Sequence, residues 1–197
     1  MTSIPDQKRA LRKTMRAARK AHWQAIPLSH RALVFSRPPR IAEPLLLGQT
    51  ETVGLYCAMD GEAPTAGLAR FLLDQGRFIA LPWFHSRTQP MAFKLWSGSE
   101  DTLVPGPWGL QPSAAMPDAQ PQALVMPLLA FDAMCQRLGQ GGGHYDRYIA
   151  GHPSTRRIGL AWSVQKVEAV PVAPHDSPMH AVITEQRFFL REDQDKL

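Results

Sequence analysis

The sequence predicts a three-layer α/β/α fold with a largely parallel sheet and a basic N-terminal helix packed alongside. Three observations carry this expectation. Short apolar runs alternate with helical stretches after residue 50, the pattern that parallel sheets produce. A glycine-rich loop lies between a buried-strand run and a helix, where open α/β sheets place their ligands. Positive charge gathers at one end: residues 1–40 hold ten Lys/Arg against the single acid Asp6, a balance of +9, while the remainder carries −4. One domain spanning 1–197 is expected, with a basic helical segment 1–45 ahead of an α/β body 50–191. A chain of this length buries roughly 70% of its unfolded surface and needs no staples.

The hydrophobic share is 44% and the charged share 20%, which excludes both a disordered chain and a membrane bundle. Two cysteines, Cys57 and Cys135, exclude a disulfide framework and a four-cysteine zinc site. The opening MTSIPDQKRALRK has no apolar core behind its charges, and no run approaches the roughly 18 apolar residues of a membrane span. A soluble, cytoplasmic protein is expected. Its basic end points to an anionic partner: nucleic acid, membrane phosphate or nucleotide.

Residues 6–25 read as an amphipathic helix, with Leu11, Met15, Ala18 and His22 on one face and Lys8, Arg12, Arg16 and Arg19 on a second stripe. Ser3, Pro5 and Asp6 supply its start chemistry. Pro27 and Pro38–Pro39 bracket a short helical stretch. Thr52–Ala58 reads as a strand, followed by the loop MDGEAPT. Leu68–Asp74 reads as a helix stopped by Gly76. Arg77–Leu81 is the next strand, closed by Pro82, and Met91–Trp96 alternates as another. PGPWGLQPS reads as a loop. Ala123–Leu128 is a buried strand feeding Ala130–Phe131–Asp132, and a helix runs from about Gly143 to Ala150. Arg157–Trp162 and Ala181–Leu190 supply the last strands.

The strongest chemical signal is FDAMCQRLGQGGGHYDR, residues 131–147. Gly139, Gly141, Gly142 and Gly143 allow positive φ and let backbone N–H groups converge on an anion, with the positive end of the next helix behind them. Arg137 adds a planar fork for phosphate oxygens. The spacing matches neither the dinucleotide fingerprint nor the Walker loop. Asp146, in the first turn of that helix, is suited either to a magnesium ion at the phosphates or simply to the helix dipole. Asp176, in VAPHDSP, is either a second metal carboxylate or a solvated turn residue. Glu62, beyond a strand's carboxyl end, offers a hydrogen-bond acceptor to a heterocycle or is an ordinary loop acid. Trp108 is a stacking surface for a flat ring or a core anchor. His144 and His175 do not form a zinc site, and no nucleophile elbow is present. Nucleotide chemistry is the class these residues favour.

Taken together, the chain resembles the 5-formyltetrahydrofolate cyclo-ligases over essentially its whole length. The matching pieces occur in that family's order: K-x-x-L-R at Lys8–Arg12, MDGEAPT, WGLQP at Trp108–Pro112, MPLLAFDAMCQRLGQGGGHYDR, and IGLAWSVQ…VPVAPHDSPMHAVITE. The resemblance implies ATP-dependent closure of 5-formyltetrahydrofolate to 5,10-methenyltetrahydrofolate, with release of ADP and phosphate and with Mg²⁺ as cofactor. It implies that Lys8 and Arg12 contact and stabilise the ATP phosphates. It lays Arg137, Leu138, Gly139, Gln140, Gly141, Gly142, Gly143, His144 and Tyr145 along ATP. It implies that Asp146 and Asp176 serve magnesium, and that Cys57, Glu62, Trp108 and Tyr145 line the folate side. A monomer is expected. Gln140 and Gly142 stand where some members carry a base, His144 where an aromatic is common, and His180 where an acid is frequent. The alternatives are a silent relative that binds RNA through the basic helix and a nucleotide-binding regulator without turnover; no RNP-like aromatic pattern supports the first.

Overall fold

The computed structural model describes residues 3–31, 33–48, 51–59, 61–174 and 176–191; His175 and Asp60 of the loops read above lie outside them. The first helix, α1 (Ile4–Ala25), starts where Ser3 accepts the Asp6 backbone N–H at 3.3 Å, with Pro5 in its first turn. Two short helices follow, α2 (Leu28–Arg31) and α3 (Glu43–Leu47). The α/β body then begins with β1 (Thr52–Gly54), α4 (Ala66–Asp74), β2 (Phe78–Trp83) and β3 (Ala92–Trp96). It continues through β4 (Leu103–Gly106), β5 (Gly109–Pro112), β6 (Ala123–Pro127), β7 (Ala130–Phe131) and β8 (Arg137–Leu138). Last come α5 (His144–Gly151), β9 (Arg156–Leu160), β10 (Ala181–Ile183) and β11 (Phe188–Leu190).

The central sheet has seven strands in the order β11-β10-β9-β6-β1-β2-β3. The five inner strands are mutually parallel, and β11 and β3 close the edges antiparallel. Successive residues of each strand supply opposite faces. Val53, Ile79, Val125 and Ile158 pack with Leu46, Leu68 and Leu72 of α3 and α4. Ala80, Leu124 and Met126 pack on the other face with Tyr148 and Ile149 of α5. Helices therefore cover both sides, as expected of a three-layer sheet. A third apolar cluster joins Met15 of α1 to Leu129, Ala130, Leu138 and Val170, with Leu11 and Ala18 at its margin. This is the apolar helix face read from the sequence.

Four local expectations need correction. The strand expected over Thr52–Ala58 ends at Gly54, because Tyr56 turns its carbonyl to the Thr65 hydroxyl and its own hydroxyl to the Ala63 carbonyl. Pro82 does not close β2; it pairs with Phe93 on the β3 side, while β1 has already ended at Gly54, opposite Ala80, so no donor is required of it there. PGPWGLQPS is a hairpin rather than a loop: Gly106 pairs with Gly109 around Pro107–Trp108, and Gly109 takes φ 122°. Finally, Ala181–Leu190 is two antiparallel strands rather than one.

His180, just before β10, is half-buried among cations. Its Nδ1 accepts the Arg157 backbone N–H at 2.8 Å, and its Nε2 lies 3.1 Å from the Arg157 guanidinium. Burial, followed by the charges of Arg157, Arg191 and Arg156, pushes its pKa down from 6.5 to about 4. Between those values the unfolded chain takes up a proton that the folded chain refuses. The stability contributed by neutral His180 is complete above 6.5 and is lost as pH falls toward 4. Thermal unfolding followed at about pH 7 and about pH 5 should show a smaller acid-induced drop in Tm for His180→Gln than for the parent. Equal drops would contradict the assignment.

Candidate functional site

The strand order reverses between β6 and β1, and a cavity of about 990 Å³ opens there at the carboxyl ends of β1, β2 and β6. Pro82 and Pro127 form its floor at two of those ends. Every residue singled out from the sequence as a ligand contact lines this one cavity, including Leu138, whose side chain is turned mainly into the core.

One wall is cationic and rich in glycine. Only Gly141 and Gly143 of the loop adopt positive φ, 110° and 63°, and Gly143 caps α5 in the left-handed region. Gly141 faces Arg12, but a Cβ there would meet the guanidinium at an ordinary 3.5 Å, so it is the positive φ that calls for glycine. Arg12 Nε donates to the Gly139 carbonyl at 2.9 Å, and Arg16 donates to both the carbonyl and the side-chain oxygen of Gln140. Burial and the Arg16 charge lower the Arg12 pKa, against a smaller opposing pull from Asp176. Arg137 rises from β8 with its side chain 5% exposed; NH2 donates to Asp146 at 2.6 Å, while buried Nε has no partner. Such an orphaned donor beside an anion loop marks a place where an acceptor is missing.

The two carboxylates on this wall are each held by a cation. Asp146 meets Arg137, and Asp176 meets Lys8 and the Ala173 backbone N–H. Among the described residues no group of three or more His, Cys, Asp or Glu could hold a metal on its own. A magnesium ion bound mainly through substrate phosphates needs only one or two carboxylates, so this all-oxygen donor pair fits that cofactor.

Another part of the lining is apolar and aromatic. Trp108, nearly half exposed at the tip of the β4–β5 hairpin, lies 5.3 Å from His144 ring to ring, and Phe84 lies 5.0 Å from His144. Gln111 anchors the hairpin by exchanging hydrogen bonds with the Phe84 backbone at 3.1 and 3.2 Å. Burial and Arg147 lower the His144 pKa, which favours a neutral ring in this aromatic group. His144 therefore fills an aromatic position as a neutral heterocycle. Deeper in, Tyr145 and Glu62 face the cavity with Cys57; burial and the Glu62 charge push the Tyr145 hydroxyl well above its ordinary range.

Sequence reasoning missed three contributors. Arg19 reaches Glu62, Phe84 extends the aromatic wall, and Tyr56 lines the cavity floor. Arg19 was visible as the end of the basic stripe on α1. Phe84 follows β2 directly, and nothing local distinguishes it from a core phenylalanine. No helix among the described residues is long and apolar enough to cross a membrane.

Fold and cavity together define an α/β protein that brings a polyanion and a flat molecule with polar edges into one site. Comparison with known proteins is specific. The model of the 5-formyltetrahydrofolate cyclo-ligase family matches residues 4–185. The 5-formyltetrahydrofolate cyclo-ligase of Escherichia coli K12 is 34% identical over 140 residues, covering 68% of this chain and 77% of the relative. That of Mus musculus is 26% identical over 184 residues, covering 80% and 90%. The fold is shared with the solved 5,10-methenyltetrahydrofolate synthetase of Aquifex aeolicus (TM-score 0.70, 23% identity, covering 96% of this chain and 95% of that one). It is also shared with the Mycoplasma pneumoniae synthetase (TM-score 0.64, 21% identity, 90% and 98% covered). The chain belongs to the 5-formyltetrahydrofolate cyclo-ligase family, and so is a ring-forming ligase with ATP as co-substrate.

The cavity contains a cysteine that its surroundings keep inert. Burial, with a smaller push from Glu100, raises the Cys57 thiol to about 11, and burial raises Cys135 to about 11 as well. A thiol-exchange reagent at about pH 8 should react with the folded protein at least about a hundredfold more slowly than with the urea-unfolded chain. Rapid stoichiometric labelling of the folded form would contradict this.

Proposed function

We propose that this cavity closes 5-formyltetrahydrofolate to 5,10-methenyltetrahydrofolate in an ATP- and Mg²⁺-dependent reaction, with the residues of each wall acting on one substrate. The observation that carries the reading is that Lys8, Arg12, Arg137 and the glycine loop line the same cavity as Glu62 and Trp108. The cationic wall takes the triphosphate: Arg12 and Lys8 supply charge from α1, and the unpartnered Arg137 Nε and the loop amides supply donors. The aromatic wall takes the pterin, with Trp108 stacking and Glu62 accepting ring N–H groups.

A formamide oxygen is a poor leaving group, so it must be activated. The formyl oxygen attacks the γ-phosphorus, the bond to the β-phosphate oxygen breaks, and ADP departs. N10 then attacks the formyl carbon and gives up its proton, and the C–O bond breaks to release phosphate as the ring closes. No protein nucleophile is needed, in keeping with the protonated state of Cys57. What this chain contributes is alignment and stabilisation of phosphoryl charge. Asp146 and Asp176 would hold Mg²⁺, which when bound neutralises charge on the phosphate oxygens. Lys8 and Arg137, released from those aspartates, would turn to the phosphates. We further propose that the chain acts as a single domain and as a cytoplasmic monomer.

The test is ATP affinity and turnover in single variants of α1. Lys8→Ala or Arg12→Ala should each lose a charge-assisted contact of about 1.5–3 kcal/mol, roughly ten- to hundredfold. Lys13→Ala and Lys20→Ala, at exposed positions, should lose little. Four equal losses, or a fall in RNA affinity with ATP affinity intact, would mean that α1 is a general anionic surface. For the metal, Asp146→Asn should abolish most of the magnesium-dependent turnover while leaving the unfolding transition in place, because an amide supplies no negative charge. Normal activity across a magnesium titration would remove Asp146 from the site.

A further inference from the structure

Glu62 is held from three directions. Its Oε1 accepts from the Arg19 guanidinium at 3.2 Å and from the Gln140 amide at 3.4 Å, and its Oε2 accepts the Met59 backbone N–H at 3.1 Å. The Arg19 and Glu62 side chains are 10% and 3% exposed, so this is a buried pair linking α1 to the loop after β1. Glu62 lines the cavity; Arg19 does not. The loop itself is pinned nearby, with the Trp162 indole N–H donating to the Gly61 carbonyl at 3.0 Å.

We infer that Arg19 is the positioning residue for Glu62: it holds one carboxylate oxygen from behind, so that the remaining acceptor capacity is aimed at the pterin-like substrate. This rests on the assignment of Glu62 to the folate side. A carboxylate has about four lone-pair sites, and the three bonds described leave room for a ligand N–H. A buried ion pair is a poor device for stability alone, since apolar residues of similar volume do as well or better. Its cost is understandable where one partner must remain a charged, oriented acceptor at the edge of a binding cavity. Gln140 gives the arrangement a second consequence. The same glutamine is held by Arg16, so the loop of the anion wall and the acceptor of the folate wall share one amide.

The test is a double-mutant cycle of Arg19→Met and Glu62→Gln in the full chain, with KM for 5-formyltetrahydrofolate, KM for ATP, kcat and Tm measured for each protein. Glu62→Gln and Arg19→Met should each raise the folate KM about tenfold, with ATP KM within about twofold, and the double variant should be no worse than Glu62→Gln. Arg19→Lys, which keeps the charge without the fork, should recover most of the loss, to about threefold above the parent. If Glu62→Gln leaves the folate KM unchanged, the folate assignment fails and the inference falls with it. If Glu62→Gln has its effect but the Arg19 change adds to it in full, or moves both KM values and Tm together, Arg19 is only structural. Should Arg19→Met yield no folded protein, the same cycle with Arg19→Lys decides: its smaller folate effect must vanish in the Glu62→Gln background.

Discussion

The structure depends on a set of charge contacts between α1 and the rest of the chain. Lys8, Arg12, Arg16 and Arg19 lie along one stripe of this helix, and each meets an acceptor on the body: Asp176, Gly139, Gln140 and Glu62. Cations on a solvated helix contribute little, but Lys8 and Arg19 are buried here, so their partners are obligatory. The apolar seam of Met15 against Leu129, Ala130 and Leu138 places the helix, and the cations set what it does there. Without α1 the cavity would keep its glycine loop and lose most of its positive charge.

Among the described residues, three cations at or beside the cavity are matched to carboxylates, while Arg12 meets only the Gly139 carbonyl. Lys8 is matched to Asp176, Arg137 to Asp146 and Arg19 to Glu62. A polyanion alone would have to pull cations away from carboxylates, and a divalent cation alone would have to pull carboxylates away from cations. If Asp146 and Asp176 hold magnesium as proposed above, binding both together would let the parted groups exchange partners, and these pairs would favour the metal–nucleotide complex over either component.

Much of this was legible in the sequence, and the exceptions share a cause. The glycine loop could be located because glycine at Gly141 and Gly143 is demanded by backbone geometry, a local property. The helix and its apolar face followed from periodicity. The parallel core followed from the alternation of apolar runs with helices, down to β6 and β9. What local reasoning missed was decided by distant partners. Thr52–Ala58 is apolar enough for a longer strand, but Thr65 and Ala63 capture the hydrogen-bonding groups of Tyr56. The β4–β5 hairpin is hidden by its prolines, because Pro105 and Pro112 are tolerated in a two-stranded ribbon, where each strand has one side free of ladder bonds. Arg19 lies in the basic stripe, yet its burial depends on a glutamate 43 residues away.

The contact between Lys8 and Asp176 spans 168 residues of chain, and the Arg12 contact with Gly139 spans 127. Synthesis proceeds from the amino end, so α1 leaves the ribosome long before any of its partners. A 22-residue helix with an apolar seam and a row of unpaired cations is marginal in water until it can dock. Closing such long loops comes late in folding, after the local βα units have formed. The helix is thus docked late, and the site proposed for ATP is complete only once the chain has been synthesised past Asp176. A chain that ends before Asp176 lacks the partner of Lys8, whatever part of its sheet has formed.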